Sequence, residues 1–357
     1  MSNERRDGKA IAVFALMILL GLGLLAIPFF LTPPAFLDVA LRDSVFATDL
    51  AGRSVHVTED ASGNALARTV QNSGGGFVAR VGRISSGPGS FTLALDGYEP
   101  AALSLEAPPL QTVRAVVDLV PSFGRVEVSV VNAVRDQQPV TATLKEGSSP
   151  VAPEPRSVFM VDLKPGKHRL SAEAAGFCPG EREVQVQEGK VTKLKLPLSP
   201  DLTGDEIARL ILDWGENPRD LDAHFRKVGT AGFPNPAHVF FQHKEGQNEA
   251  RERFAVLDVD HTNSQGYETI TLSDKATGEY EYYVHHYAGT GTIGGSGAQA
   301  SIVTRGCQRR DYSVPASCNK NVWAITHVRV QQGRVELVDQ QRCETSPPLA
   351  VGGKAPS

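Results

Sequence analysis

From residue 35 onward the chain alternates short β-branched and aromatic runs with turn clusters, a spacing that leaves room for strands and little else. Period-2 runs fall at 54–57, 77–81, 90–95, 101–105 and 112–119, separated by SGN at 62–64, NSGGG at 72–76 and SSGPG at 85–89. A second set falls at 125–130, 140–144, 157–163, 168–172, 181–186 and 191–196. Neither set contains helical periodicity of useful length. The abundant glycine (34) and proline (23) therefore belong to turns. With 41% hydrophobic and 21% charged residues the chain is too apolar to be disordered. Lys+Arg (36) and Asp+Glu (40) nearly cancel, which argues against a nucleic-acid partner.

One stretch breaks the pattern. Residues 10–31 carry no charge over 22 positions, follow Arg5, Arg6 and Lys9, and precede the next charge at Asp38. About 20 apolar residues suffice to cross a bilayer as a helix. The positive-inside rule puts residues 1–9 in the cytoplasm and the remainder outside. A cleaved signal peptide is the rival, but its apolar region is usually shorter, about 7–15 residues. The expectation is a single-pass inner-membrane protein with a cytoplasmic N-terminus and a periplasmic bulk.

The two strand sets share a signature. The first reads Pro88-Gly89, LAL, Gly97-Tyr98-Glu99-Pro100, then VVDLVP; the second reads Pro165-Gly166, RLSAEA, Gly176-Phe177-Cys178-Pro179, then LKLPLSP. Over residues 36–200 this resembles the carboxypeptidase-regulatory-like and PEGA β-sandwich modules. That resemblance implies transthyretin-like sandwiches of extracytoplasmic proteins, without catalytic residues. A ring just after each glycine turn, Tyr98 or Phe177, is expected to seal the end of its sandwich.

Residues 201–213 admit two readings. Thr203 with Glu206 has capping-box spacing for a short helix, and 208–214 also reads as a strand. Beyond them come LDWGENPRDLDAHF at 212–225, LDVDHTNSQGYETITL at 257–272 and GEYEYYVHHYAG at 278–289. These resemble a bacterial extracytoplasmic β-sandwich module of the form W-G-x-N-P-x-D-L-D-x-H, L-D-x-D-x-T, G-x-E-T-I-T and G-x-Y-x-Y-x-V. His261 and the cysteine-flanked loop 305–322 depart from that form.

Strand alternation would put Asp220, Asp222 and His224 on one face, and Asp258 with Asp260 on another. Carboxylates gathered this way need protons or a cation. Calcium, a six- to eight-oxygen ion, suits Asp220, Asp222, Asp258 and Asp260. Hydrogen bonding of these acids to turns, completed by Thr262 or Thr269, is the alternative. A transition metal on His224, His261, His285 or His286 is another. Tyr280, Tyr282 and Val284 form a core face; Tyr283, His285 and Tyr287 share the opposite one and form a candidate binding surface for glycan or protein.

All four cysteines lie beyond the apolar run, where disulfides persist. Cys307 and Cys318 flank a polar stretch and are expected to pair, leaving Cys178 with Cys343. Buried free thiols are the alternative. The sequence lacks G-x-S-x-G, H-E-x-x-H and Walker A motifs, and GTGTIGGSG at 289–297 lacks the Lys-Ser/Thr of a phosphate loop. No catalytic, nucleotide-binding or cofactor-binding residue is expected, apart from the calcium ligands.

The expected fold is mainly β: a cytoplasmic tail (1–9), one transmembrane helix (10–31) and three tandem β-sandwiches (35–121, 122–200 and 201–340), with 341–357 as a flexible tail. The expected function is a membrane-anchored, non-catalytic binding or scaffold protein contacting an envelope complex or cell-wall glycan. A metal-dependent envelope hydrolase using the Asp/His cluster of the third domain is the alternative.

Overall fold

Period-2 alternation explains the sheets of the first unit, which ends at Phe123. The computed structural model describes residues 33–74, 76–229 and 236–346. Within them the chain is almost wholly β, without an α-helix. The apolar run 10–31 lies outside the described residues, and no helix among these is long and apolar enough to cross a membrane.

In the first unit one sheet runs in the order Gln71–Ser73, Gly76–Ile84, Ala35–Asp43, Thr112–Leu119. The other runs Asn64–Thr69, Ser54–Glu59, Gly87–Leu95, Ala101–Ala107. Leu37, Val39 and Leu41 from the first sheet and Val55, Val57, Phe91 and Leu93 from the second share one core. Each such side chain contributes about 1.5–3 kcal/mol on burial. The strand Ala35–Asp43 pairs in parallel with Thr112–Leu119 over eight register positions.

The second unit starts at Gly124. Its first sandwich packs Ser149–Pro150, Thr143–Glu146, Gly166–Glu173 and Gly180–Val186 against Val158–Leu163, Gly124–Asn132 and Val191–Leu198. Again the first and last strands, Gly124–Asn132 and Val191–Leu198, run parallel over eight positions.

The repeated signature is a repeated hydrogen-bond device. Gly97 (φ +80°) and Gly176 (φ +78°) take the left-handed conformation that favours glycine. Tyr98 then bridges to Pro121, and Phe177 to Pro200. The carbonyls of Gly97 and Gly176 accept N–H bonds from Ser122 and Asp201, each at 3.0 Å. Tyr98 closes its core edge-on to Phe123 and donates its hydroxyl to Asp43 at 2.9 Å. Phe177 packs against its own core.

A sandwich of larger sheets follows. One runs Glu245–Gln247, Arg253–Val259, Tyr267–Ser273, Glu206–Asp213, Gln299–Thr304, Gln308–Ser313. The other runs His238–Val239, Asp220–Lys227, Gly278–Ala288, Val322–Gln331, Arg334–Glu344. The last strand continues to Glu344, into the stretch expected as a tail. The strand reading of 208–214 holds, and the capping pair survives in a turn: Glu206 accepts the Thr203 N–H at 3.0 Å and leads directly into its strand.

The two sandwiches of this unit are joined along a dense seam. Arg182 from one forms a buried ion pair with Asp213 of the other. Arg209 is buried and donates to Ser199 Oγ (2.9 Å), the Pro200 carbonyl and Glu206 (2.7 Å). The Tyr267 hydroxyl accepts the Gln137 N–H at 2.8 Å and lies 3.3 Å from the carbonyls of Asn132 and Arg135. His261 stacks on Tyr267 and contacts Lys195 at 3.3 Å and Asp136 at 3.5 Å.

The cysteines also serve the seam, and their pairing corrects the expectation. Cys178 bonds to Cys307 across it, and Cys318 bonds to Cys343. The segment after Cys307 is a strand, Gln308–Ser313, not a loop. Six extended residues span roughly 17–20 Å, which carries Cys318 away from Cys307. Cys307 is left beside the Gly176 turn, whereas Cys343 pairs in register with Trp323 and so lies near Cys318. Unreduced peptide mapping should recover Cys178–Cys307 and Cys318–Cys343 linkages; a Cys307–Cys318 peptide would overturn this pairing. Replacing Cys178 and Cys307 together by alanine should cost about 2–5 kcal/mol in chemical denaturation.

Candidate functional site

Strand alternation and cross-strand register build the site together. In Asp220–Lys227, Leu221, Ala223 and Phe225 enter the core, so Asp220, Asp222 and His224 project from the opposite face. In the neighbouring Gly278–Ala288, Tyr280, Tyr282 and Val284 enter the core, as expected, and Tyr283 and His285 share the other face. The antiparallel register sets Asp222 opposite His285 and His224 opposite Tyr283. The expected acid face and the expected aromatic face are thus one surface.

The oxygen-rich end is completed by a residue that sequence reading missed. The Ala223 N–H lies at a strand edge and donates to Glu268 Oε2 at 2.6 Å. Glu268 sits on the inward face of Tyr267–Ser273, two residues before Ile270 and four before Leu272. That spacing, a carboxylate in step with core residues, was the available signal. Asp260 adjoins Glu268 and helps to raise its carboxyl, and Asp260 Oδ2 meets Lys244 at 2.7 Å.

Asp220, Asp222, Asp260 and Glu268 therefore lie close enough to act on one another's charge, and Asp258 lies apart. A register shift between Leu257 and Val259 breaks the alternation that would have aligned Asp258 with Asp260. Asp258 instead accepts the Thr271 hydroxyl at 2.6 Å. The Thr269 hydroxyl is buried with no hydrogen-bond partner among the described residues.

The electrostatics of the four acids are unfavourable as they stand. Asp220, Asp222 and Glu268 are each at most 2% exposed. Asp220 Oδ1, Asp222 Oδ2, Asp260 Oδ1 and Glu268 Oε1 are buried without a hydrogen-bond partner among the described residues. Burial, then the charges of Asp220 and Asp260, pushes the Asp222 carboxyl up to about 7. Burial and the charges of Asp222 and Asp260 hold Glu268 well above the usual carboxylate range, against the pull of the Ala223 N–H. Burial also raises Asp220. Hard, negatively charged oxygens gathered from separate segments are the donor set of calcium.

The other end is imidazole and aromatic. His224 is buried between Tyr283 (4.7 Å between ring centres) and Phe240 (5.1 Å). Its Nδ1 lies 3.0 Å from His238 Nε2, which the Tyr283 hydroxyl approaches at 3.2 Å. Burial lowers His224 well below the ordinary imidazole value and His238 to about 4, so both rings are neutral at pH 7. Of the expected binding surface, Tyr283 is buried and His285 half-buried; only Tyr287, 54% exposed, is open to solvent, with its ring edge-on to Phe241 at 5.0 Å. His261 belongs to the seam, and His286 turns to the Gly289 carbonyl at 3.1 Å.

No protein-family model matches the chain, and no curated protein matches it. Some solved structures overlap loosely. The Bacillus anthracis TIE protein is 14% identical with a TM-score of 0.25, over 79% of this chain and 48% of its own. This chain thus spans about half the length of that protein. A Streptomyces coelicolor homologue of the telluride resistance protein TerD is 13% identical (TM-score 0.31), over 41% of this chain and 94% of its own. The streptococcal ancillary pilin is 10% identical (TM-score 0.27), over 79% and 95%. None of these likenesses carries a functional argument.

The raised carboxyls give a pH test. A folded-state pKa above the unfolded value of 3.8 contributes stability that is complete below about 4. That stability is lost as the pH rises through about 7 at Asp222. Metal-free Asp222→Asn should therefore gain roughly 1–4 kcal/mol over the unsubstituted chain between about pH 4 and pH 8. Parallel stability curves would show that Asp222 is not under electrostatic load.

Proposed function

We propose that this chain is a non-catalytic scaffold or binding protein of the cell envelope, tethered by residues 10–31 and carrying its sandwiches outside the membrane. The observation that carries the reading is the seam, in which a disulfide, a buried ion pair and the Tyr267 and Arg209 contacts join two sandwiches into one body. A joined body presents a surface or transmits force; domain closure over a substrate needs a looser boundary. Two disulfides favour an oxidising compartment. The resemblance to tandem extracytoplasmic sandwich modules agrees.

In this reading the four acids form a calcium cage from Asp220, Asp222, Asp260 and Glu268. Burial of three of them favours a cage over a hydrolase centre, because a substrate has little access to carboxylates at most 2% exposed. The bound ion would cross-link strands of both sheets at an edge that otherwise gathers like charge. The partner would be an envelope protein or cell-wall glycan, meeting the exposed Tyr287 and its neighbour Phe241.

Calcium at about 100 times its dissociation constant should stabilise the chelator-treated chain by about 2.7 kcal/mol. Glu268→Gln and Asp260→Asn should abolish that gain, and an unchanged melting temperature on adding calcium would remove the cage. Crosslinking in intact membranes should retain a stoichiometric envelope partner, which the scaffold reading requires.

A further inference from the structure

Beyond the oxygen cage, we infer that Asp222, His224 and His285 form a second site, for a divalent transition metal of the zinc class. One potential ligand atom from each of these residues lies within 4.8 Å of the other two. Around a tetrahedral ion with bonds near 2.1 Å, ligand atoms stand roughly 3.4 Å apart, so modest side-chain adjustment closes the set. Two imidazoles and one carboxylate on one face leave further coordination positions open, a donor set that suits zinc, cobalt or ferrous ion. Calcium prefers oxygen and has little use for the rings.

A second observation points to the same ligand. His224 is 6% exposed, yet its Nε2 has no hydrogen-bond partner among the described residues, and neither has Asp222 Oδ2. The other ring nitrogen of His224 is engaged, with His238 Nε2 3.0 Å from Nδ1. Ligation through Nε2 would put the ring proton on Nδ1, where His238 accepts it. That is the outer-shell contact that fixes tautomer and ring orientation in metal-binding histidines. Tyr283 and Phe240 clamp the ring from its two sides, so little side-chain freedom is left to lose. The sheet supplies the rest: Asp222 and His224 are two apart on one strand, and His285 is directly opposite Asp222 on the next.

The test is cobalt(II) and zinc titration of the untagged, metal-free full chain, read by visible absorption of cobalt and by equilibrium dialysis of zinc. One saturable equivalent is expected, with the cobalt spectrum of a four- or five-coordinate site. His285→Asn, at a half-buried position that leaves the core intact, should weaken binding at least tenfold. His238→Asn should weaken it roughly 10- to 100-fold by freeing the His224 ring. Binding that is absent, or that survives His285→Asn unchanged, overturns the proposal. So does complete displacement of cobalt by a modest excess of calcium, which would merge the site with the cage. A calcium-dependent rise in melting temperature without cobalt binding would remove this site and leave the cage standing.

Discussion

The buried pair of Arg182 and Asp213 is the interaction on which the second unit turns. Burial opposes both charges: it lowers Arg182 and pushes Asp213 up to about 6 against the attraction of the guanidinium. Removing one partner of such a pair typically costs 3–5 kcal/mol, because the other charge stays buried. Asp213 ends the central strand Glu206–Asp213 and is in register with Tyr267, whose hydroxyl reaches the other sandwich. The next residue, Glu268, points the opposite way and meets Ala223 at the acidic cluster. Successive residues of one strand thus serve the seam and the candidate site, so the position of one fixes the other.

Much of the fold was legible from the turns. The strand expected at 112–119 is found as Thr112–Leu119, and most others lengthen by one to three residues at one or both ends. Ala35–Asp43 was not among the expected strands, although Pro33-Pro34 marks its start. The glycine-aromatic repeat was readable because its hydrogen bonds depend on backbone conformation that the residues advertise. Cysteine pairing was not: it depends on which strand ends meet, and sequence spacing suggested a loop where a strand lies. Of the two departures from the third-domain pattern, His261 and the start of the 305–322 segment at Cys307 and Arg309 find their place at the seam, whereas Cys318 is bonded within the third sandwich.

The candidate site was half legible for a similar reason. Alternation correctly grouped Asp220, Asp222 and His224, a local property of one strand. It failed at Asp258, where a register shift breaks the period. It could not show that the acid face and the Tyr283–His285 face adjoin, which is settled by pairing between strands over fifty residues apart in sequence. Asp222 stands at that junction, between carboxylates on one side and imidazoles on the other. One strand therefore offers hard and borderline donors within a few ångströms.

The parallel pairing of first and last strands in each of the two smaller sandwiches has a mechanical consequence. Two parallel neighbours start at the same end of a sheet, so the chain enters each sandwich at one end and leaves at the other. Tension along the chain pulls these strands in opposite directions along their own axes. The hydrogen bonds along the eight paired positions are then loaded in shear and must yield together, not one by one as in an unzipping hairpin. Each of these sandwiches therefore resists stretching most strongly along the line that joins its own entry and exit.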